Sequence, residues 1–340
     1  MDFKNYLVPG KTGLLIGIGG VSMSPLAEVL HDAGLDIRGS DMAESSNTLT
    51  LRERGIPIHI GHSADNVTDD ISFVIRTAAV HDDNPEVHEA HRRGIPVFER
   101  TQAWGALMRG YQNALCISGT HGKTTTTSMC THIMMAAEKD PTVMIGGTLP
   151  LLKACHRVGK GNTIIMESCE YYNSFLALNP TIAVVLNIEA DHLDFFKDLE
   201  DIKHSFRCFA ERVPAETGTV IANYDDANTM DALRGIARKV ITFGLNAKAD
   251  VYAQNIVHRG SVSEFDIYHR GNYFARVTLH VPGIHNVRNA LAATAAAIVL
   301  GVSPNAVKYG LAGFEGAGRR FDFKGKFQGA DLYDDYAHHP

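Results

Sequence analysis

Tryptophan occurs once in this chain of 340 residues, and its five cysteines include no C-x-x-C pair. Cys116, Cys130, Cys155, Cys169 and Cys208 are odd in number and widely spaced. That pattern argues against a disulfide frame or a zinc site and predicts reduced, mostly buried thiols in a cytoplasmic protein. No apolar run approaches the ~20 residues of a membrane-spanning helix, so membrane insertion is not expected. The opening Met1-Asp2-Phe3-Lys4 lacks the charged-then-apolar layout of a signal peptide. Lys/Arg-rich runs are missing and the formal net charge is −6. Phosphate backbones demand clustered positive charge, so nucleic acid is not an expected partner. Repeats, low-complexity tracts and Pro-rich linkers are absent as well. What is present is apolar: 45% hydrophobic against 21% charged residues predicts sizeable cores. The length predicts two domains, or two and a piece.

The first hundred residues alternate strand-like and helix-like segments. Strands are expected at 13–18, 36–41, 56–60, 73–78 and 95–98, with helices at 24–33, 47–54, 86–93 and 101–111. Such alternation predicts a layered, mostly parallel α/β sheet over residues 1–110. A second α/β domain is expected over 111–322, with buried strands at 114–118, 142–145, 162–166 and 181–187 and helices at 125–137 and 199–212. Strands at 220–223 and 239–243 follow. The segments 250–256, 264–269 and 273–281 alternate apolar and polar residues and predict antiparallel pairing. Helices at 286–300 and 304–311 come next. Residues 323–340 read as a hairpin opening a further domain, and the stop at His338-His339-Pro340 predicts that the chain was cut there.

Two glycine turns carry the chemistry. Gly119-Thr120-His121-Gly122-Lys123-Thr124, followed by Thr125, stands between a buried strand and a helix. Glycines let backbone N–H groups converge on an anion at a helix N-terminus. Lys123 would reach the terminal phosphates of a nucleoside triphosphate and the Thr124 hydroxyl its magnesium. The loop departs from the common G-x-x-x-x-G-K-[ST] spacing, because Ile117 stands where the first glycine belongs. The second turn, Gly17-Ile18-Gly19-Gly20-Val21-Ser22, has Ser22 in place of a third glycine and Asp41 at the end of the next strand. It fits a dinucleotide fingerprint, a nucleotide-sugar site or a purely structural turn.

Further segments in order are Gly39-Ser40-Asp41, Glu167-Ser168-Cys169-Glu170-Tyr171, Ser174-Phe175-Leu176 and Asn187-Ile188-Glu189-Ala190-Asp191-His192. Pro282-Gly283-Ile284-His285-Asn286, Asn289-Ala290, Gly318-Arg319-Arg320-Phe321 and Asp334-Asp335-Tyr336-Ala337-His338-His339-Pro340 complete the series. Together with the two glycine turns they resemble the Mur ligase family, the ATP-dependent ligases that build the peptide stem of peptidoglycan. The resemblance implies an N-terminal Rossmann-like domain for a UDP-sugar, a central P-loop ATPase-like domain, and a C-terminal domain of which only the first strands are here. It implies amide formation through an acyl phosphate, with ATP and Mg2+ and with UDP-N-acetylmuramate and L-alanine as partners. A preformed peptide in place of L-alanine stays open. So do two readings from other classes, a NAD-dependent oxidoreductase and a non-catalytic nucleotide-binding module.

The resemblance also implies roles. Glu170 joins Thr124 as a magnesium ligand, His192 matches a ligand of a second magnesium that helps hold the γ-phosphate and the substrate carboxylate, and Glu167 is either a further contact or an exposed loop acid. Asn286 and Asn289 meet adenine, with helix capping by Asn286 as the bland reading. Arg320 meets the γ-phosphate and Asp335 the ribose, with Tyr336 and His338 nearby and Arg319 as a structural partner. Gly19, Gly20 and Ser22 hold pyrophosphate and Asp41 meets uridine, with His62, Thr77 and Ala78 as further contacts or ordinary loop residues. Cys169 and Tyr172 replace acids common in the family.

Overall fold

The computed structural model describes residues 2–77, 79–318 and 322–334. It divides into two compact units, Met1–Gly110 and Tyr111–Pro340. The first unit contains β1 (Thr12–Ile16), α1 (Ser24–Asp32), β2 (Asp36–Asp41), α2 (Ser46–Glu53), β3 (Ile58–Ile60), β4 (Ile71–Arg76), α3 (Pro85–Arg92), β5 (Val97–Glu99) and α4 (Arg100–Met108). Its sheet is parallel with order β3-β2-β1-β4-β5. The chain crosses between β1 and β4, the switch point outside whose strand ends open α/β sheets take their ligands. All of β1 is buried, which is why it reads as an unbroken apolar run rather than an alternating one.

Glycines inside these strands are there for space. A Cβ on Gly39 would sit 2.4 Å from Ile18 Cδ1 and 2.7 Å from Ile18 Cβ. Ile18, within the Gly17–Ser22 turn, is fully buried. Gly39→Ala is therefore expected to destabilise the chain by about 1–3 kcal/mol through overpacking, read from the midpoint of urea unfolding. An unchanged midpoint would show that Ile18 can move aside freely.

The second unit opens with β6 (Asn113–Ser118), α5 (Lys123–Ala136), β7 (Thr142–Leu149), β8 (Ala154–Arg157), β9 (Thr163–Glu167) and β10 (Ile182–Val185). It continues through α6 (Leu199–Glu211), β11 (Thr219–Asn223), α7 (Ala227–Ala232), β12 (Lys239–Gly244), β13 (Val251–Arg259), β14 (Val262–His269) and β15 (Asn272–Leu279). Then come α8 (Ile284–Val299), α9 (Pro304–Ala312), β16 (Asp322–Phe327) and β17 (Ala330–Asp334). The main sheet runs β15-β14-β13-β12-β11-β10-β6-β9-β7-β8, and β16 and β17 pair with each other. Pairing across β13, β14 and β15 is antiparallel, as their alternation predicts. The short strand β8 and the helix α7 have no clear periodicity and were not expected.

One apolar core joins the buried strands to α5, α8 and α9. Alanines fill much of α8, and their small side chains let it lie close against its neighbours. His132 of α5 meets the Phe314 ring edge-on at 5.6 Å. Burial pushes its imidazole down to about 4. The unfolded chain takes up that proton below about pH 6.5, the folded chain only near the lower value. Stability from this residue is thus complete above the unfolded value and is lost as pH falls toward the folded one, at no more than about 1.4 kcal/mol per pH unit. His132→Phe is expected to flatten that slope in a denaturation series across mildly acid pH.

Candidate functional site

Three parallel neighbours bring the site of the second unit together. β6 pairs with β10 up to Ser118↔Val185 and with β9 up to Ile117↔Glu167. The segments leaving those three strands therefore lie side by side: the glycine loop after β6, Ser168-Cys169-Glu170 after β9, and Leu186 to His192 after β10.

Gly119 and Gly122 have φ of 143° and 83°, values that exclude most side chains. A Cβ on Gly119 would also fall 2.8 Å from Leu186 Cβ. Asn187 clasps the loop from β10: its Oδ1 accepts from the His121 N–H at 2.7 Å and its Nδ2 donates to the His121 carbonyl at 3.0 Å. Its own carbonyl accepts from the Thr120 N–H at 3.1 Å. The Thr120 hydroxyl accepts from the Glu189 N–H at 2.9 Å. Helix α5 begins at Lys123, so Lys123, Thr124 and Thr125 form its first turn, where the helix dipole favours an anion.

Lys123 is held back onto the loop. Its Nζ donates to the Gly119 carbonyl at 2.6 Å and lies 3.0 Å from both Glu170 carboxylate oxygens. Glu170 is 2% exposed, so this ammonium is the charge that balances it. The Thr124 hydroxyl donates to Glu167 Oε1 at 3.1 Å, and the other Glu167 oxygen accepts from the Gly146 N–H at 2.6 Å. Glu167 is thus no free loop acid but ties the start of α5 to β7.

His192 has φ of 52°. Its N–H donates to Asp191 Oδ1 at 2.7 Å, and its ring stacks on Tyr171 at 4.4 Å between centroids. The Tyr171 hydroxyl in turn donates to Asp194. Glu170, Asp191 and His192 each present a ligand atom within 4.8 Å of the others. Two carboxylates and an imidazole suit a hard divalent cation that keeps some water. Asp191, Asn187 and Tyr171 were missed as individual site residues. Asp191 sits beside His192 in the quoted motif and could have been found by asking which carboxylate accompanies the histidine.

Asn289 lies on the glycine loop, since a Cβ on Gly122 would come 2.6 Å from its Oδ1. Asn289 Nδ2 donates to Asn286 Oδ1 at 3.3 Å, and Asn286 Nδ2 to the Pro282 carbonyl at 2.6 Å. Helix capping by Asn286 is not what the structure shows. Helix α8 starts at Ile284 with Gly283 at its cap, because the φ of 95° at that position favours glycine. Arg319, Arg320, Asp335, Tyr336 and His338 lie outside the described residues, as does Ala78.

In the first unit, Asp41 faces the glycine turn. Its Oδ2 accepts from the Gly19 N–H at 2.8 Å, while Asn47 Nδ2 donates to the Gly19 carbonyl at 2.8 Å. The Gly20 N–H donates to the Gly17 carbonyl at 3.1 Å. Thr77 lies against Gly17, where an added Cβ would be 3.5 Å from its methyl group. Ser22 receives the Arg100 guanidinium on its hydroxyl and the Trp104 indole N–H, at 3.3 Å, on its carbonyl. Arg100, at the start of α4, went unnoticed because nothing local marks a cation some eighty residues beyond the turn. His62 contacts Ser40 and Glu86.

The expectation of mostly buried cysteines fails. All five are free, but only Cys116 and Cys130 are buried, Cys155 and Cys208 are half-buried, and Cys169 is exposed. Burial pushes the Cys116 and Cys130 thiols up to about 12. Desolvation, then the neighbouring Glu170, raises Cys169 as well. Iodoacetamide is therefore expected to modify Cys169 slowly and to spare Cys116 and Cys130 until the chain unfolds, since the thiolate is the reactive form. Peptide mass mapping would check this, and early labelling of Cys116 would contradict it.

A phosphate-type loop and a preceding Rossmann-like unit define an α/β protein of Rossmann-like and P-loop ATPase-like type. The comparisons go further. Residues 117–297 match the Mur ligase middle domain and residues 15–112 the Mur ligase family catalytic domain. A UDP-N-acetylmuramate–L-alanine ligase of Agathobacter rectalis is 46% identical over 326 residues, covering 96% of this chain and 71% of the relative. The crystal structure of the UDP-N-acetylmuramate–alanine ligase of Thermotoga maritima superposes with a TM-score of 0.80 at 31% identity, over 96% of this chain and 74% of that one. The UDP-N-acetylmuramate:L-alanyl-γ-D-glutamyl-meso-diaminopimelate ligase from Neisseria meningitides gives 0.80 at 26% identity, over 90% and 99%. The chain belongs to the Mur ligase family.

Proposed function

We propose that this chain carries the sugar-nucleotide and ATP-binding parts of a ligase that joins L-alanine to the carboxylate of UDP-N-acetylmuramate. The reading implies a cytoplasmic location, and no described helix is long and apolar enough to cross a membrane. A carboxylate is a poor acyl donor. Its oxygen takes the γ-phosphoryl group of ATP and ADP leaves; the alanine amine then attacks the acyl carbon, and phosphate and a proton depart. The first step sets a carboxylate against a triphosphate, anion against anion, so the site has to supply positive charge, and both steps need orientation. The observation that carries the reading is the Lys123–Glu170 pair beside Asp191 and His192. Lys123 is the cation that would turn from Glu170 to the phosphates. Glu170, Asp191, His192 and the Thr124 hydroxyl would hold Mg2+, which supplies charge neutralisation at the phosphates when bound. Asn289 stands over Gly122 and can orient the base.

In the first unit, Asp41 and Asn47 hold the Gly19 peptide in place, and Arg100 supplies a cation at Ser22. That arrangement suits a diphosphate beside a nucleoside. A peptide acceptor in place of alanine is not favoured, because the 46% identity is to an L-alanine ligase while the peptide ligase stands at 26%. The oxidoreductase reading leaves the Gly119 loop and the acid–imidazole cluster without a role. Calorimetric titration of UDP-N-acetylmuramate into this chain tests the reading, with Asp41→Ala as control. Binding that the control weakens supports it. Binding of NADH with no response to the UDP-sugar would overturn it.

A further inference from the structure

A buried polar cluster in the first unit has no part in the chemistry above. Glu86, in the first turn of α3, is fully buried, and its carboxylate is met from three directions. Ser40 Oγ donates to its Oε2 at 2.8 Å, His62 Nδ1 lies 2.8 Å from the same oxygen, and Asn66 Nδ2 donates to Oε1 at 2.6 Å. The donors come from the end of β2, the loop after β3 and the short turn Ala64–Asn66. A carboxylate taken out of water is costly unless every lone pair finds a donor. Its place in the first turn of a helix favours the negative charge further.

The cluster stands where a ligand would be read. β2 and β3 pair with Ser40 opposite His59 and Asp41 opposite Ile60. His62 therefore leaves the sheet at the same carboxyl edge as Asp41, the edge at which such sheets bind nucleotides. Its side chain is 15% exposed while that of Glu86 is 0% exposed. A neutral imidazole whose Nδ1 faces a buried carboxylate carries its one proton there, which leaves Nε2 as an acceptor.

We propose that Glu86 is a positioning residue for base selection: it holds His62 as the Nδ1–H tautomer, so that Nε2 accepts the imide N–H of a uracil ring. This rests on the sugar-nucleotide reading of the first unit. Cytosine has an acceptor where uracil has that N–H, so it would face Nε2 lone pair to lone pair. A polar site left with an unmatched partner discriminates strongly.

Calorimetric titration of UDP and CDP into the 340-residue chain, and into its Glu86→Gln and Glu86→Asp variants, tests the proposal. The chain is expected to bind UDP at least tenfold more tightly than CDP. Glu86→Gln releases the tautomer and is expected to shrink that ratio severalfold, Glu86→Asp to restore part of it, and ATP binding to stay unchanged in both. Nitrogen-15 spectra of the unsubstituted protein give an answer that needs no variant. His62 should show the Nδ1–H tautomer, with an Nε2 signal that moves on addition of UDP and not of ATP. An unchanged UDP/CDP ratio in a folded Glu86→Gln protein, or the opposite tautomer, overturns the proposal while leaving the sugar-nucleotide reading intact. Absence of UDP binding by the unsubstituted chain overturns both.

Discussion

Lys123→Met is expected to weaken binding of ATP with magnesium by a hundredfold or more, the effect of removing a principal charge-stabilising group from a phosphate site. The same substitution should destabilise the chain without ligand. Lys123 lies 3.0 Å from each oxygen of a Glu170 carboxylate that is almost wholly buried. Removing one partner of a buried pair leaves an uncompensated charge, at a cost of about 3–5 kcal/mol. A divalent cation can take the place of the lost ammonium. Mn2+ or Mg2+ alone should therefore raise the melting temperature of Lys123→Met more than that of the unsubstituted chain. Methionine preserves much of the apolar stem, so packing against the loop changes little. Calorimetry for the nucleotide and thermal unfolding with and without cation would read both effects. Unchanged nucleotide affinity would remove Lys123 from the phosphate site.

Glu170→Gln should act on the cation instead. Glu170 lies within reach of both Lys123 and His192, at 3.0 Å and 3.8 Å. Its neutral amide keeps the shape but loses the charge that hard cations prefer. Stabilisation by Mn2+ is expected to disappear, and ATP affinity to become nearly independent of magnesium. His192→Ala should be milder, about 10- to 100-fold in cation affinity, because two carboxylates remain. Tyr171→Leu, which removes the ring stacked on His192, should fall between that variant and the unsubstituted chain. Manganese titration followed by electron paramagnetic resonance would rank the series. Equal cation affinity in Glu170→Gln would place the cation elsewhere.

The glycine loop was legible in the sequence because its geometry is local. Gly119 and Gly122 need backbone conformations that few other residues adopt, and the lysine and threonine that follow open the helix in the same stretch of chain. Motif order also pointed to Glu170 and His192. Asn187 as the clasp of the loop was not legible, since its role depends on β10 lying beside β6. Secondary-structure boundaries drifted where apolar runs outlast their hydrogen-bonded ladders: Thr181 to Asn187 reads as one strand, but pairing stops at Val185 and the chain then turns toward the site.

From its residues alone, the chain specified two α/β units, a phosphate-type loop, a second glycine turn and a family likeness. Each of these is written in short-range periodicity or in contiguous motifs. Only the tertiary structure decided that Lys123 rests on Glu170, that Asp191 and His192 meet Glu170, that Arg100 reaches Ser22, and that Glu86 backs His62. Those partners are separated by crossovers, and parallel pairing brings distant strand ends together only once the whole sheet has formed.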